Sequence, residues 1–202
     1  MKQGNHMINA RVAPADIDGY EAGSLNSSDE TMLERIACRD QLAMRALYAR
    51  HSTRVYRFIL RLVRDRAVAE DILSDAFLDI WRQASKFEGR ASVSTWILAI
   101  ARFKALSHLR RRFEEQLDQE IIDTIPDPAE DPEQVLQTKS RTELLRKSIA
   151  QLPSAQAEVV DLVYYHDKSI AEVASITGIR EATVKTRMFY ARRKLADLVK
   201  AA

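Results

Sequence analysis

A single cysteine, Cys38, is present in 202 residues, so the chain has no intramolecular disulfide and no cysteine-based zinc site. Gly and Pro are also scarce, at five each, and strand-like alternation is rare, which favours helices over a turn-rich β architecture. No apolar run is long enough to span a bilayer, so no membrane insertion is expected. The first thirty residues lack the apolar core of a signal peptide. With the lone cysteine, this predicts a reducing, cytoplasmic location. His6, His51, His108 and His166 are scattered without a metal-ligand spacing or a nucleophile–base motif, so no enzyme activity, metal or cofactor is expected. They read as surface or partly packed side chains, and Cys38 as a small packing residue.

What is present is charge, distributed in blocks. The net charge is only +2. Yet Arg102, Lys104, Arg110, Arg111 and Arg112 form a basic block without an acid. From 113 to 138 there are nine acids and no base, and Gly178–Lys200 holds seven bases against two acids. That order predicts two nucleic-acid-facing modules joined by an acidic connector.

Residues 1–28 read as a disordered polar tail, with Met7 as a second candidate start. Residues 29–112 read as a first helical domain. Its clearest helix spans Val68–Trp81, with Ala69, Ile72, Leu73, Ala76, Phe77 and Ile80 on one face and Asp71, Asp75 and Asp79 along another. After a Gly-containing break, Ser94 or Thr95 is placed to cap a helix that carries the basic block. Trp96 and Phe103 interleave with those bases, an arrangement suited to stacking single-stranded bases while cations hold phosphates. For Trp96 a place in the core is the better reading, whereas Phe103 stays open to either role. Prolines 126, 128 and 132 among acids make 113–138 an extended linker.

Residues 139–202 form a second helical domain. Within SIAEVASITGIREATVKTRMFYARRKL, Ser169 and Glu172 match a capping box, and Ala174, Gly178 and Val184 match the crossing, turn and anchor of a helix-turn-helix. The helix that follows is apolar at Val184, Met188, Ala191, Leu195, Leu198 and Val199, and opposes a face of Lys185, Thr186, Phe189, Tyr190 and Arg193. Such a face can enter a major groove.

The first domain separates this chain from other helix-turn-helix proteins. AEDILSDAFLDIW resembles the polymerase-docking helix of bacterial sigma factors, and KFEGRASVSTWILAIARFKALSHLRRR resembles the adjoining segment that captures the unwound −10 element. VKTRMFYARRKL is similar to their −35-reading helix, and LPSAQAEVV to the helix before it. The resemblance, to the extracytoplasmic-function class of the sigma-70 family, covers roughly residues 30–199. It implies an all-α chain with a sigma region 2-like bundle and a sigma region 4-like helix-turn-helix domain, joined by the acidic linker.

The implied partners are core RNA polymerase through its beta and beta-prime subunits, an anti-sigma factor, and promoter DNA, double-stranded at −35 and single-stranded at −10. The implied role is promoter selection in a stress or environmental response. Polymerase binding is expected at Asp71, Ser74, Asp75, Leu78 and Trp81. Binding of the −10 strand is expected at Phe87, Arg90, Ser92, Ser94, Thr95, Trp96, Arg102, Phe103, Lys104, Arg110 and Arg111. Reading of −35 is expected at Arg180, Thr183, Lys185, Thr186, Arg187, Phe189, Tyr190 and Arg193. Two positions depart from the pattern: Phe103 stands where Asn is common, and Tyr190 where a basic residue is frequent. The alternative is a free-standing helix-turn-helix regulator that binds an operator by itself.

Overall fold

The computed structural model describes residues 27–118 and 147–200, with side chains as far as 114 and 198 in the two segments. Every regular element among them is helical. Ser28 starts the first, α1 (Asp29–Ala37), its hydroxyl accepting from the Thr31 N–H at 3.2 Å. Residues 27 and 28, expected in the tail, therefore belong to the folded part, and Ser27 also offers its carbonyl to Arg50. The rest of the expected tail lies outside the described residues.

Asp40 caps α2 (Gln41–Val63) through the N–H groups of Leu42 and Ala43 and pairs with Arg35 at 2.7 Å. Arg64 takes a left-handed backbone, φ 56°, to end that helix. Asp65 then caps α3 (Arg66–Gln83), and a 3₁₀ turn, Ala84–Lys86, follows. The predicted Val68–Trp81 helix is thus real and slightly longer, and all six of its predicted core residues are buried. The last helix of this domain, α4, runs from Val93 to Asp118. At 1.5 Å per residue it is about 39 Å long. Residues 113–118, assigned to the linker, continue this helix, because Phe113 to Asp118 contains no proline or glycine to stop it. The remainder of the acidic segment lies outside the described residues. Leu33, Leu47, Phe58, Ile59, Ile80 and Ile97 are almost fully buried where α1 to α4 meet.

Residues 147–150 are helical, and after Pro153 come α5 (Ser154–Tyr164), α6 (Ile170–Thr177) and α7 (Glu181–Lys200). Val159, Leu162, Val173, Val184 and Ala191 close their small core. The two domains touch: α6 packs on α4, and α5 on α2.

Candidate nucleic-acid and polymerase interfaces

The α3 helix buries one face, so its opposite face is presented outward. Asp71, Ser74, Asp75 and Leu78 are all exposed there. Neither Asp71 nor Asp75 has a salt bridge among the described residues, and the Ser74 hydroxyl merely donates to the Glu70 carbonyl at 3.0 Å. Asp79 leaves the row: it pairs with Lys104 of α4 at 2.8 Å and lies 3.9 Å from Arg82. Trp81 is half-buried against the core, with the Arg39 guanidinium 5.5 Å from its ring centre.

Around the start of α4 the expected −10 residues divide into three groups. Phe87 and Trp96 are half-buried and pack together, ring centres 5.4 Å apart, so Trp96 is a core-supported ring with part of its surface open. Arg90, Phe103, Arg110 and Arg111 are exposed; Arg90 pairs with Glu88, an exchange of little energetic weight at the surface. Phe103 is 70% exposed, a ring left in water by the fold.

The third group is already occupied. Ser92, not Ser94 or Thr95, caps α4: its carbonyl accepts from Trp96 N–H at 3.0 Å and its hydroxyl from Thr95 N–H at 3.4 Å. Thr95 is buried and donates its hydroxyl to Glu172 at 2.7 Å, and Ser92 donates to the same oxygen at 3.0 Å. Lys168 donates to Ser94 at 2.6 Å and to Glu172 at 3.2 Å. Arg102 donates to both Glu158 carboxylate oxygens, from Nε at 2.6 Å and from Nη2 at 3.3 Å. Lys104 is held by Asp79. Thr95, Arg102 and Lys104 are therefore not open to a ligand in this arrangement.

In the second domain the expected helix-turn-helix forms as the sequence dictates. Ser169 and Glu172 make the complete capping box, and Gly178 adopts φ 69° at the turn, its N–H reaching the Ala174 carbonyl at 2.9 Å. On α7, Val184, Met188 and Ala191 are buried and Leu195 is half-buried, while the side chain of Val199 is outside the description. Arg180, Thr183, Lys185, Thr186, Phe189, Tyr190 and Arg193 are exposed, and Arg187 is half-buried. Phe189 and Tyr190 meet edge to face at 5.5 Å. Thr186 donates to the Ala182 carbonyl at 2.9 Å, and Lys185 lies 3.9 Å from Glu181. Both contacts are local and leave the side chains at the surface.

Sequence reasoning missed the polar seam between the domains. Arg61 pairs with Asp161 and lies over the Tyr165 ring at 4.0 Å; His166 packs edge to face on Phe58. Glu158, Asp161, His166 and Lys168 are all buried. A signal existed, since Glu158 and Asp161 interrupt the apolar run around Val159, Val160, Leu162 and Val163. Arg192, whose guanidinium donates to the Tyr164 hydroxyl at 3.1 Å, was also overlooked. Although burial pushes it up, the Glu172 carboxyl is held down at about 2 by the Thr95 hydroxyl, the Ser169 amide and hydroxyl, and Lys168. Burial, aided by Arg61, Arg54 and Lys168, pushes the His166 imidazole down to about 4, so it is neutral near pH 7. His51 is likewise lowered by burial, although it contacts Asp29 at 2.8 Å. Two of the histidines are thus packed into the structure, whereas Cys38, expected to pack, is exposed at the C-cap of α1.

Among the described residues no group of side chains is arranged to hold a metal, and no helix is long and apolar enough to cross a membrane.

Comparison with known proteins agrees with this geometry. The family model for sigma-70 region 2 matches residues 47–113, and that for sigma-70 region 4 matches residues 142–195. The ECF RNA polymerase sigma factor RpoE of Cereibacter sphaeroides is 30% identical over 158 residues, 78% of this chain and 86% of that protein. SigL of Mycobacterium tuberculosis, an ECF RNA polymerase sigma factor, is 31% identical over 161 residues, 79% of this chain and 90% of its own. The fold is shared with CnrH, solved in complex with the cytosolic domain of CnrY, at a TM-score of 0.61 and 21% identity, covering 87% of this chain and 99% of that one. It is also shared with RpoE of Bartonella quintana, solved with the anti-sigma factor NepR, at 0.59 and 22%, covering 76% and 94%.

Proposed function

Since the chain belongs to the extracytoplasmic-function class of the sigma-70 family and is an RNA polymerase sigma factor, we propose that its two domains divide promoter recognition between −10 and −35. The observation that carries this reading is the pairing, in one chain, of an outward row on α3 with two separate cationic, aromatic-bearing surfaces on α4 and α7.

The exposed Asp71, Ser74, Asp75 and Leu78 face docks on a basic surface of core polymerase, with the edge of Trp81 at its border. The loop from Phe87 to Ser94 and the face of α4 bearing Phe103, Arg110 and Arg111 receive the displaced −10 strand. Unstacking costs a few kcal/mol per base, and stacking on a ring returns about 1–3 kcal/mol, so an exposed Phe103 beside arginines is chemically suited to the task. A phenyl ring cannot offer the hydrogen bonds of an amide, so Phe103 favours a base for its stacking surface.

On α7, Lys185, Thr186, Phe189, Tyr190 and Arg193 enter the duplex major groove at −35, with Arg180 and Thr183 at the turn placed for phosphates. Phe189 and Tyr190 supply apolar edges that fit thymine methyl groups. The chain itself carries out no catalytic step, works in the cytoplasm, and is restrained by an anti-sigma partner, as the Bartonella RpoE is found with the anti-sigma factor NepR.

Promoter-dependent transcription with purified core polymerase tests the reading. Initiation only in the presence of the chain, lost on replacing Phe103 or Lys185 with Ala, is the expected result. Tight operator binding by the chain alone, without an effect on initiation, would favour a free-standing regulator instead.

A further inference from the structure

We propose that the cavity where α2 and α4 meet the turn between α5 and α6 binds a small phosphate monoester, a sugar phosphate or a nucleoside monophosphate. This site does not depend on the promoter reading above.

The α2 helix carries five arginines, Arg45, Arg50, Arg54, Arg57 and Arg61, and no acid. Acids for two of them come from other elements: Asp29 pairs with Arg50 at 2.6 Å, and Asp161 pairs with Arg61. Arg54 receives none. It is exposed and has no ion pair or hydrogen bond among the described residues. Arg50 and Arg54 lie one turn apart on the same side of α2 and line a cavity of about 470 Å³. His166 and Lys168, both buried, line it from the second domain. Lys168 donates to Ser94 at 2.6 Å, which holds an ammonium and a hydroxyl side by side in the lining. Val55 and Leu98 complete it with apolar surface.

The lining therefore holds three cations, Arg50, Arg54 and Lys168, against the single carboxylate of Asp29. That carboxylate is already shared by Arg50 and His51, at 2.6 and 2.8 Å, and Lys168 is turned partly towards Glu172 at 3.2 Å. Arg54 is the cation left over, and its charge bears on both imidazoles. Burial, with Arg50 and Arg54, lowers His51 despite Asp29, and burial, with Arg61, Arg54 and Lys168, lowers His166 to about 4. A guanidinium fork, an ammonium, a hydroxyl and imidazoles around one space are donors that suit phosphate oxygens. A phosphate monoester carries about −1.5 to −2 charge near neutral pH, which matches the excess of cations, whereas each backbone phosphodiester carries only about −1. The volume lies within the range of small-molecule sites, about 300–1,000 Å³, so an organic group fits beside the phosphate and meets Val55 and Leu98. Because Arg54 belongs to one domain and Lys168 to the other, the bound phosphate stabilises both together.

The full-length chain is titrated with ribose 5-phosphate, AMP and inorganic phosphate, followed by calorimetry and by the imidazole carbon–proton NMR signals. His51 and His166 line the cavity, whereas His108 lies on α4 near the basic block. Ribose 5-phosphate or AMP should bind with a submillimolar dissociation constant and move the His51 and His166 signals together, leaving His108 in place. Arg54→Met, which breaks no ion pair among the described residues, should weaken binding about tenfold, the loss of one charge-assisted hydrogen bond. Arg45→Met removes an equal charge about half a turn round the same helix and should leave the affinity unchanged. The melting midpoint should rise with ligand in the wild type and rise less in Arg54→Met.

Equal weakening in Arg54→Met and Arg45→Met, or movement of His108 in place of His51 and His166, would mean diffuse attraction to the basic surface and overturn the site. Absence of binding by all three probes at millimolar concentration would overturn it as well. Inorganic phosphate binding as tightly as the two esters would reduce it to an ion site and remove the organic ligand. A single-stranded oligonucleotide without a terminal phosphate that moves His51 and His166 at lower concentration than the esters would make the cavity part of the strand path and end the metabolite reading.

Discussion

His166 sits at the seam, packed on Phe58 of α2 and surrounded by Arg54 and Arg61 from α2 and by Asp161, Asp167 and Lys168 of its own domain. Its imidazole falls from the ordinary 6.5 to about 4, because burial and three cations disfavour a further positive charge. In the unfolded chain the ring gains a proton below 6.5 that the folded chain refuses until about 4. The stability that comes from holding it neutral is therefore complete above 6.5 and is lost as pH falls towards 4. Thermal melts across that window should show a declining midpoint, and His166→Gln should flatten the decline. An equal decline in the variant would place the sensitivity elsewhere. Glu172 titrates in a different window: its carboxyl is depressed from 4.5 to about 2, so its contribution is full above 4.5 and disappears as pH falls towards 2. Glu172→Gln should thus change the slope below pH 4.5 and not that between 6.5 and 5.

At the scale of the element, α3 and α7 do opposite things with the same design, one apolar stripe inward and one charged stripe outward. Asp75→Lys on the exposed stripe of α3 should weaken binding to core polymerase while leaving the melting temperature within a degree or two, since an exposed charge with no partner adds little to folding. Affinity equal to wild type would remove the α3 row from the docking surface. Lys185→Ala should cost about 1–3 kcal/mol of −35 binding if it reads a base edge, measured as the affinity difference between promoters with intact and altered −35 elements. Gly178→Ala meets no steric obstacle, because no atom lies within 4 Å of the added carbon. Its cost is the left-handed backbone alone, roughly 1–2 kcal/mol by chemical denaturation.

Much of this was legible, because helix faces, the capping box and the glycine turn are encoded within four to eight neighbouring residues. Local ambiguity explains one error: Ser92, Ser94 and Thr95 all qualify as caps, and only the start of α4 at Val93 selects Ser92. Non-local pairing explains the others. Asp79 looks like the third member of an acidic row until Lys104 arrives from another helix. Arg102 and Thr95 look like free DNA ligands until Glu158 and Glu172 arrive from another domain.

Across the whole molecule, the ion pair of Arg61 with buried Asp161 couples the two domains through α2 and α5. Removing the guanidinium by Arg61→Ala presents the chain with two choices. If the domains stay docked, Asp161 remains buried without its cation, a cost of about 3–5 kcal/mol. If they separate, Asp161 returns to water and the loss is limited to the contacts of the seam. Separation is the lower path where the ion pairs Arg61–Asp161 and Arg102–Glu158 hold the seam, because their charged groups find water once released. Calorimetry of the full chain should therefore change from one endotherm in the wild type to two in the variant, as units that melted together become independent. A single endotherm displaced downwards by the full cost of a stranded carboxylate would mean that the domains are joined by more than this ionic seam.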